Sequence, residues 1–229
     1  MSTISSPTWT RLSPRPQPDH SPLATLRLPE KLGAMLLPDC TLFPHGALPL
    51  HIFEPRYQQM LTEALEGDCM FCIARLTGTE VPDLASCSAP VGTVGLIRAS
   101  REQPDGRSEL ILHGVCRVTF TEWLPGKPYP LASISPIPSP PLDQQASVGE
   151  ARRLRDAVEA VLLGFPEEVV RQVRELLDRA ADPAVMSDAI SQQFVQDSDL
   201  RQALLEEPEV TRRIDTIIAH LRTLRSLEN

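Results

Sequence analysis

The chain has 229 residues, of which 41% are apolar, 23% charged and only 4% aromatic, with a formal net charge of −8. That length allows one large domain or two small ones, and the acidic excess, shared by both halves without a basic island, opposes binding to phosphate backbones. No run approaches the roughly 18–20 apolar residues that span a bilayer, so no membrane placement is expected.

Residues 1–22 carry Pro7, Pro14, Pro16, Pro18 and Pro22 among serines and threonines, with no basic region leading into an apolar one, and read as a disordered tail rather than a leader. Residues 23–135 then read as short strands broken by turn residues. Strands over 34–37 and 47–53 flank a loop holding Pro38-Asp39 and Phe43-Pro44-His45-Gly46. Pro55 suits a first helical position, where its missing N–H loses nothing. Tyr57, Met60, Leu61, Ala64 and Leu65 follow at helical spacing, and Gly67 closes the helix. Further strands are expected over 69–76, 91–100, 108–121 and 129–134, with Pro104-Asp105-Gly106 as the turn of a hairpin. Residues 136–148 continue a proline-rich run and read as an extended linker.

From residue 149 to 229 the period of hydrophobicity becomes helical. Leu154, Ala157, Val158, Val161 and Leu162 form one stripe. Val169, Val170, Val173, Leu176, Leu177 and Ala180 form a second, and Val185, Met186, Ala189, Ile190 and Phe194 a third. A short helix over 200–205 and a last one through Val210, Ile214, Ile217, Ile218, Leu221 and Leu224 complete the set. Short connections imply antiparallel neighbours in a bundle.

Catalytic signatures are missing. No GxxxxGK[ST] phosphate cradle, GxSxG elbow or HExxH helix occurs, and Lys31 and Lys127 are the only lysines for a Ser–Lys dyad. Cys69 and Cys72 make a CxxC pair, but in a strand residues three apart face opposite ways and no second pair completes four ligands, so structural thiols are expected. The five cysteines are an odd set without a secretory leader, which favours a reducing, cytoplasmic setting. His20, His45, His51, His113 and His220 are scattered, although His45 and His51 could meet on a loop. The pairs Glu167-Glu168 and Glu206-Glu207 fall at helix ends, where solvation and the helix dipole explain them. No enzymatic activity, catalytic residue, metal or cofactor is expected.

The stretch MLLPDCTLFPHGALPLHIFEPRY, from Met35 to Tyr57, resembles the opening of the amino-terminal domain of Lon proteases, where an "LFPG-x-x-LPL" loop precedes "IFEPRY". Later pieces follow in the family's order: Phe71 to Ala74, Val91 to Val94, Asp105 to Arg107, Ile111 to Val118, and Tyr129 to Ala132. The helices, with Ala203-Leu-Leu-Glu206, resemble the bundle of small bacterial members. Asp39-Cys40 and His45 depart from the usual loop. The resemblance implies an α+β fold, with a PUA-like β pseudo-barrel of about six strands and one helix, followed by a C-terminal α-helical bundle. It also implies a non-catalytic role in engaging unfolded or flexible polypeptide segments. On this reading the chain is a stand-alone bacterial member, lacking the ATPase and the serine–lysine peptidase of full Lon proteases, and the bundle could dock a protease or a chaperone.

Phe43, His45, His51, Phe53, Arg56 and Tyr57 are the candidate peptide contacts implied by this likeness. A structural reading stands beside it: Phe43, Pro44, Leu50, Phe53 and Tyr57 would pack a tight loop, and Arg56 would pair with Glu54. The alternative function is RNA binding, since PUA-like barrels elsewhere bind RNA. The acidic balance and scarce aromatics disfavour it, because single-stranded recognition needs a basic groove and stacking platforms.

Overall fold

Alternating burial along extended segments gives way once, after residue 136, to helical periodicity. The computed structural model describes residues 10–11, 27–78, 84–163 and 165–227. The first part runs β1 (Thr10–Arg11), β2 (Lys31–Pro38), β3 (Ala47–Ile52), α1 (Pro55–Glu66), β4 (Met70–Leu76), α2 (Leu84–Cys87), β5 (Val91–Glu102), β6 (Ser108–Leu124) and β7 (Leu131–Pro136). The helices α3 (Gln144–Val161), α4 (Glu167–Arg179), α5 (Pro183–Phe194), α6 (Ser198–Glu206) and α7 (Val210–Leu227) follow. Apart from β1, the tail expected over 1–22 lies outside the described residues.

The order β1-β5-β4-β2-β7-β6-β3, with β5 also pairing β6, closes five strands on themselves and leaves β3 outside β6 and β1 outside β5. Among the described residues only the β2–β4 pair is parallel. Closing so few strands demands bending, and β-bulges supply it: the β5–β6 register shifts at Val94/Gly95 and Ile97/Ala99, and the β6–β7 register at Phe120/Glu122. The expected α+β architecture, a β pseudo-barrel followed by a helical bundle, is thus the one that forms. A second, single-turn helix, α2, was not anticipated, because four residues carry no readable helical period.

Inside the barrel, α1 buries Tyr57, Met60 and Leu61 against Ile52, Phe71, Ile73, Leu110 and Leu112. Each such side chain removed from water stabilises the fold by about 1.5–3 kcal/mol. Pro55 stands at the helix start and Gly67 ends it, its N–H donating to the Glu63 and Ala64 carbonyls.

Asp143, Asp182 and Asp197 begin α3, α5 and α6, each carboxylate accepting first-turn N–H groups such as those of Ala146, Ala184 and Leu200 at 2.7–2.8 Å. Asp143 starts α3 at Gln144, a turn or more ahead of its apolar stripe. At the other end β7 runs on to Pro136, and the Ile137 N–H still donates to the Arg117 carbonyl at 2.9 Å. The extended connection is therefore 137–143, shorter than the 136–148 expected.

Leu154, Val158, Met186, Ile190, Ile214, Ile217 and Leu221 form the centre of the bundle, with Val173 and Leu177 of α4 at its flank. The same apolar cluster takes in Phe43 and Val91 from the barrel, so the two parts share one core.

Candidate functional site

The loop motif that carries the family resemblance is a joint between barrel and bundle. Phe43 is fully buried, its N–H donates to Gln192 Oε1 at 3.1 Å, and the Arg201 guanidinium carbon lies 5.3 Å from its ring centre. Arg201 also donates to the Ser191, Gln192 and Val195 carbonyls at the end of α5 and to Thr41 O at 2.7 Å, tying that helix to the loop. Deeper, Arg117 of β6 grips Asp188 of α5 through two bonds of 2.8 and 2.5 Å and donates to Leu205 O. Arg213 of α7 lies 3.7 Å from the same carboxylate and donates to the Glu207 and Pro208 carbonyls. Two buried guanidiniums thus share one carboxylate, and main-chain carbonyls absorb the excess positive charge. Burial and the neighbouring Arg117 push Arg213 down to about 10.

Two of the six expected peptide contacts are corrected by this geometry. Phe43 has no surface to offer, because it fills the shared core. Tyr57 is buried on the inner side of α1, where its hydroxyl accepts the Leu36 N–H at 3.2 Å and anchors the helix to β2. Arg56 is exposed, and its Nε donates to Glu54 at 2.8 Å. The remaining candidates, His45, His51 and Phe53, are exposed as well.

Most of these exposed residues gather on or beside one outer face. Along β3 the side chains alternate, and Ala47, Pro49 and His51 point outward. The register sets Ala47 against His113, Pro49 against Ile111 and His51 against Glu109 on β6. Phe53, just past the strand, is 61% exposed, Ile111 is 39% exposed, and the His51 and Phe53 rings lie 6.1 Å apart. Charged pairs stand among these residues: Arg101 with Glu109 in the row of His51, between Ile111 and Phe53, and Arg56 with Glu54 just past Phe53. Burial, then the nearby Arg98 and His45, lower the pKa of His113, which favours its neutral form.

Ile111 and Pro49 were not singled out beforehand, because their exposure depends on a strand pairing across some sixty residues of sequence. In the sequence Leu110-Ile111-Leu112 is an unbroken apolar run, which gives no sign that its middle residue faces outward.

Other chemistry is sparse. Cys72 is buried in β4, where desolvation raises its thiol far above the usual range, while Cys69 precedes the strand with φ +58°. Among the described residues no three His, Cys, Asp or Glu side chains come together as a metal site, and no helix is long and apolar enough to cross a membrane. Two clefts among the described residues, of about 260 and 230 Å³, fall below the usual range for small-molecule sites.

A family model described as the ATP-dependent protease La (LON) substrate-binding domain matches residues 31–223. Lon protease of Trichlorobacter lovleyi is 26% identical over 195 residues, covering 84% of this chain and 24% of the relative. Lon protease 1 of Thermus thermophilus is 25% identical over 201 residues, 86% of this chain and 25% of the relative. The chain thus spans about a quarter of the length of these curated relatives. Among solved structures, the N-terminal domain of Mycobacterium avium complex Lon protease superposes with a TM-score of 0.68 at 14% identity, covering 84% of this chain and 98% of that one. A Lon N-terminal domain protein from Xanthomonas campestris gives 0.58 at 19% identity, covering 82% and 97%. Loop motif, pseudo-barrel, bundle and family model agree, and the chain belongs to the Lon substrate-binding domain family.

Proposed function

We propose that this chain is a non-catalytic polypeptide-recognition module that takes unfolded or flexible protein segments on the outer β3–β6 face. The carrying observation is Phe53, a large apolar side chain left 61% exposed next to His51, at the end of the strand whose outer face sets Pro49 opposite Ile111, with the Arg56–Glu54 and Arg101–Glu109 pairs alongside. Apolar side chains held open on a rigid sheet are what a binder of exposed apolar segments needs. The names of the Lon relatives support the same reading, with any chemistry on the bound polypeptide done outside this chain. Five free cysteines suit the cytoplasm as its place of work.

The test is a titration with fluorescent, reduced and carboxymethylated α-lactalbumin, a permanently unfolded polypeptide, beside a mixed-sequence single-stranded RNA. Saturable polypeptide binding that persists at high salt is expected, and Phe53→Asp weakens it by about 10- to 30-fold, as for a central interface residue. Unchanged affinity in Phe53→Asp, or RNA binding that falls steeply with salt in place of polypeptide binding, overturns the reading.

A further inference from the structure

Strand β5 runs on past its partner β4. β4 covers it from Thr93 to Leu96, and the Ile97 N–H still donates to the Cys69 carbonyl at 2.8 Å. From Arg98 to Glu102 the only strand on that side, among the described residues, is the two-residue β1, with Thr10 opposite Ser100 and Arg11 opposite Ala99. The bulge between Ile97 and Ala99 falls where β4 leaves off.

The direction of the backbone groups along this stretch follows from its turn. The Gln103 N–H donates to Arg107 O at 2.7 Å. In an antiparallel ladder such bonds alternate, so Arg101 and Ala99 turn their backbone groups toward β6, and Ser100 and Glu102 turn theirs to the open side. β1 takes up the position opposite Ser100 on that side, and among the described residues none stands opposite Glu102 there.

The other outer edge, along β3, is a poorer acceptor. Pro49 has no N–H, and a proline inside a strand is accommodated where the missing donor faces an open edge, so the middle of β3 offers an incoming strand no donor. The β5 edge has no proline. It also lies next to the apolar face, because Ala99 is opposite Ile111, which is opposite Pro49, in one row across three strands.

We propose that the β5 edge from Arg98 to Glu102 is a strand-addition site for an extended polypeptide segment, and that the chain's own Thr10–Arg11 occupies part of it as an internal competitor. This rests on the polypeptide-recognition reading and says by which edge the segment is held. A two-residue strand is a weak occupant that a longer segment displaces, and an added segment lays alternate side chains beside the Ala99–Ile111–Pro49 row.

The experiment compares the full chain with Thr10→Pro, which cannot sustain β1, and with Ser100→Pro, which removes an outward N–H while keeping the β5–β6 ladder. The probe is the same carboxymethylated α-lactalbumin, with amide hydrogen exchange at Glu102 followed in the unmodified chain. Thr10→Pro is expected to bind about three- to ten-fold more tightly, the weight of one hydrogen bond, and Ser100→Pro more weakly by a similar factor. The Glu102 amide is expected to exchange more slowly when the probe saturates. If both proline variants bind like the full chain while Phe53→Asp still loses affinity, the edge proposal falls and the recognition reading stands. If Ser100→Pro does not fold, an unchanged Glu102 exchange rate at saturation overturns the proposal by itself. No binding by any variant overturns both.

Discussion

Gly114 shows how much one hydrogen atom can decide. A Cβ at this position would stand 2.1 Å from the Phe43 carbonyl oxygen and 3.2 Å from Pro44 Cα, both backbone atoms that cannot step aside alone. Its carbonyl accepts the His45 N–H at 2.9 Å and its N–H donates to Gly46 O at 2.8 Å, so the loop is stitched flat onto β6, with His45 at φ +63°. Gly114→Ala is expected to destabilise the protein by about 1–3 kcal/mol, toward the upper end because backbone must shift, read as a lower urea midpoint. An unchanged midpoint would mean that the loop is not pressed against the strand. The glycine was visible in the sequence, but the reason for it was not, since Phe43 reaches it only through the fold.

At the scale of elements, α1 is fastened at both ends. The Tyr57 hydroxyl holds its start to Leu36, and near its end Glu63 accepts bonds of 2.6 Å from Lys127 and 2.6 Å from the Tyr129 hydroxyl, with Gln59 adding a third at 3.0 Å. These donors, Lys127 first, hold the Glu63 carboxyl down at about 2, against an ordinary 4.5. A carboxyl whose folded pKa is depressed contributes stability that is fully present above pH 4.5 and is lost as pH falls toward 2. Glu63→Gln is therefore expected to be less stable than the parent at neutral pH and to lose less further stability between pH 4.5 and 2. Acid-unfolding curves with parallel slopes for the two proteins would refute the assignment. The helix itself was readable from Pro55, the apolar stripe and Gly67. Its fastening was not, because Lys127 and Tyr129 are more than sixty residues away.

For the whole molecule, the question is whether barrel and bundle behave as one body. Phe43 and Val91 sit in the bundle's core, and Arg117, Asp188 and Arg213 bury their charges where the two parts meet. Removing one member of a buried ion pair leaves the other charged and unpartnered, so Asp188→Ala is expected to cost about 3–5 kcal/mol. Calorimetry of the parent is expected to show one cooperative transition. Two separate transitions in the parent, or a loss below about 1 kcal/mol in Asp188→Ala, would contradict a shared core.

The sequence by itself determined the order of the longer strands and helices, their approximate limits and the family, because alternation, helical stripes, capping residues and the Met35–Tyr57 motif are all local patterns; the two-residue β1, inside the stretch read as a tail, and the single turn α2 are too short to leave one. It could not determine which residues of that motif face solvent. From the motif alone Phe43, Phe53 and Tyr57 read either as contacts or as packing of a tight loop; the fold turned Phe43 and Tyr57 inward and left Phe53 exposed, and Ile111 joined the exposed face only through its pairing with Pro49. Nor could it show that Arg117 meets Asp188 across 71 residues, or that β5 outruns β4 and leaves an edge partly taken by Thr10–Arg11. The physical reason is the same each time: periodicity encodes which residues share a face, but burial and partnership depend on which faces meet, and only the closed tertiary structure brings those together.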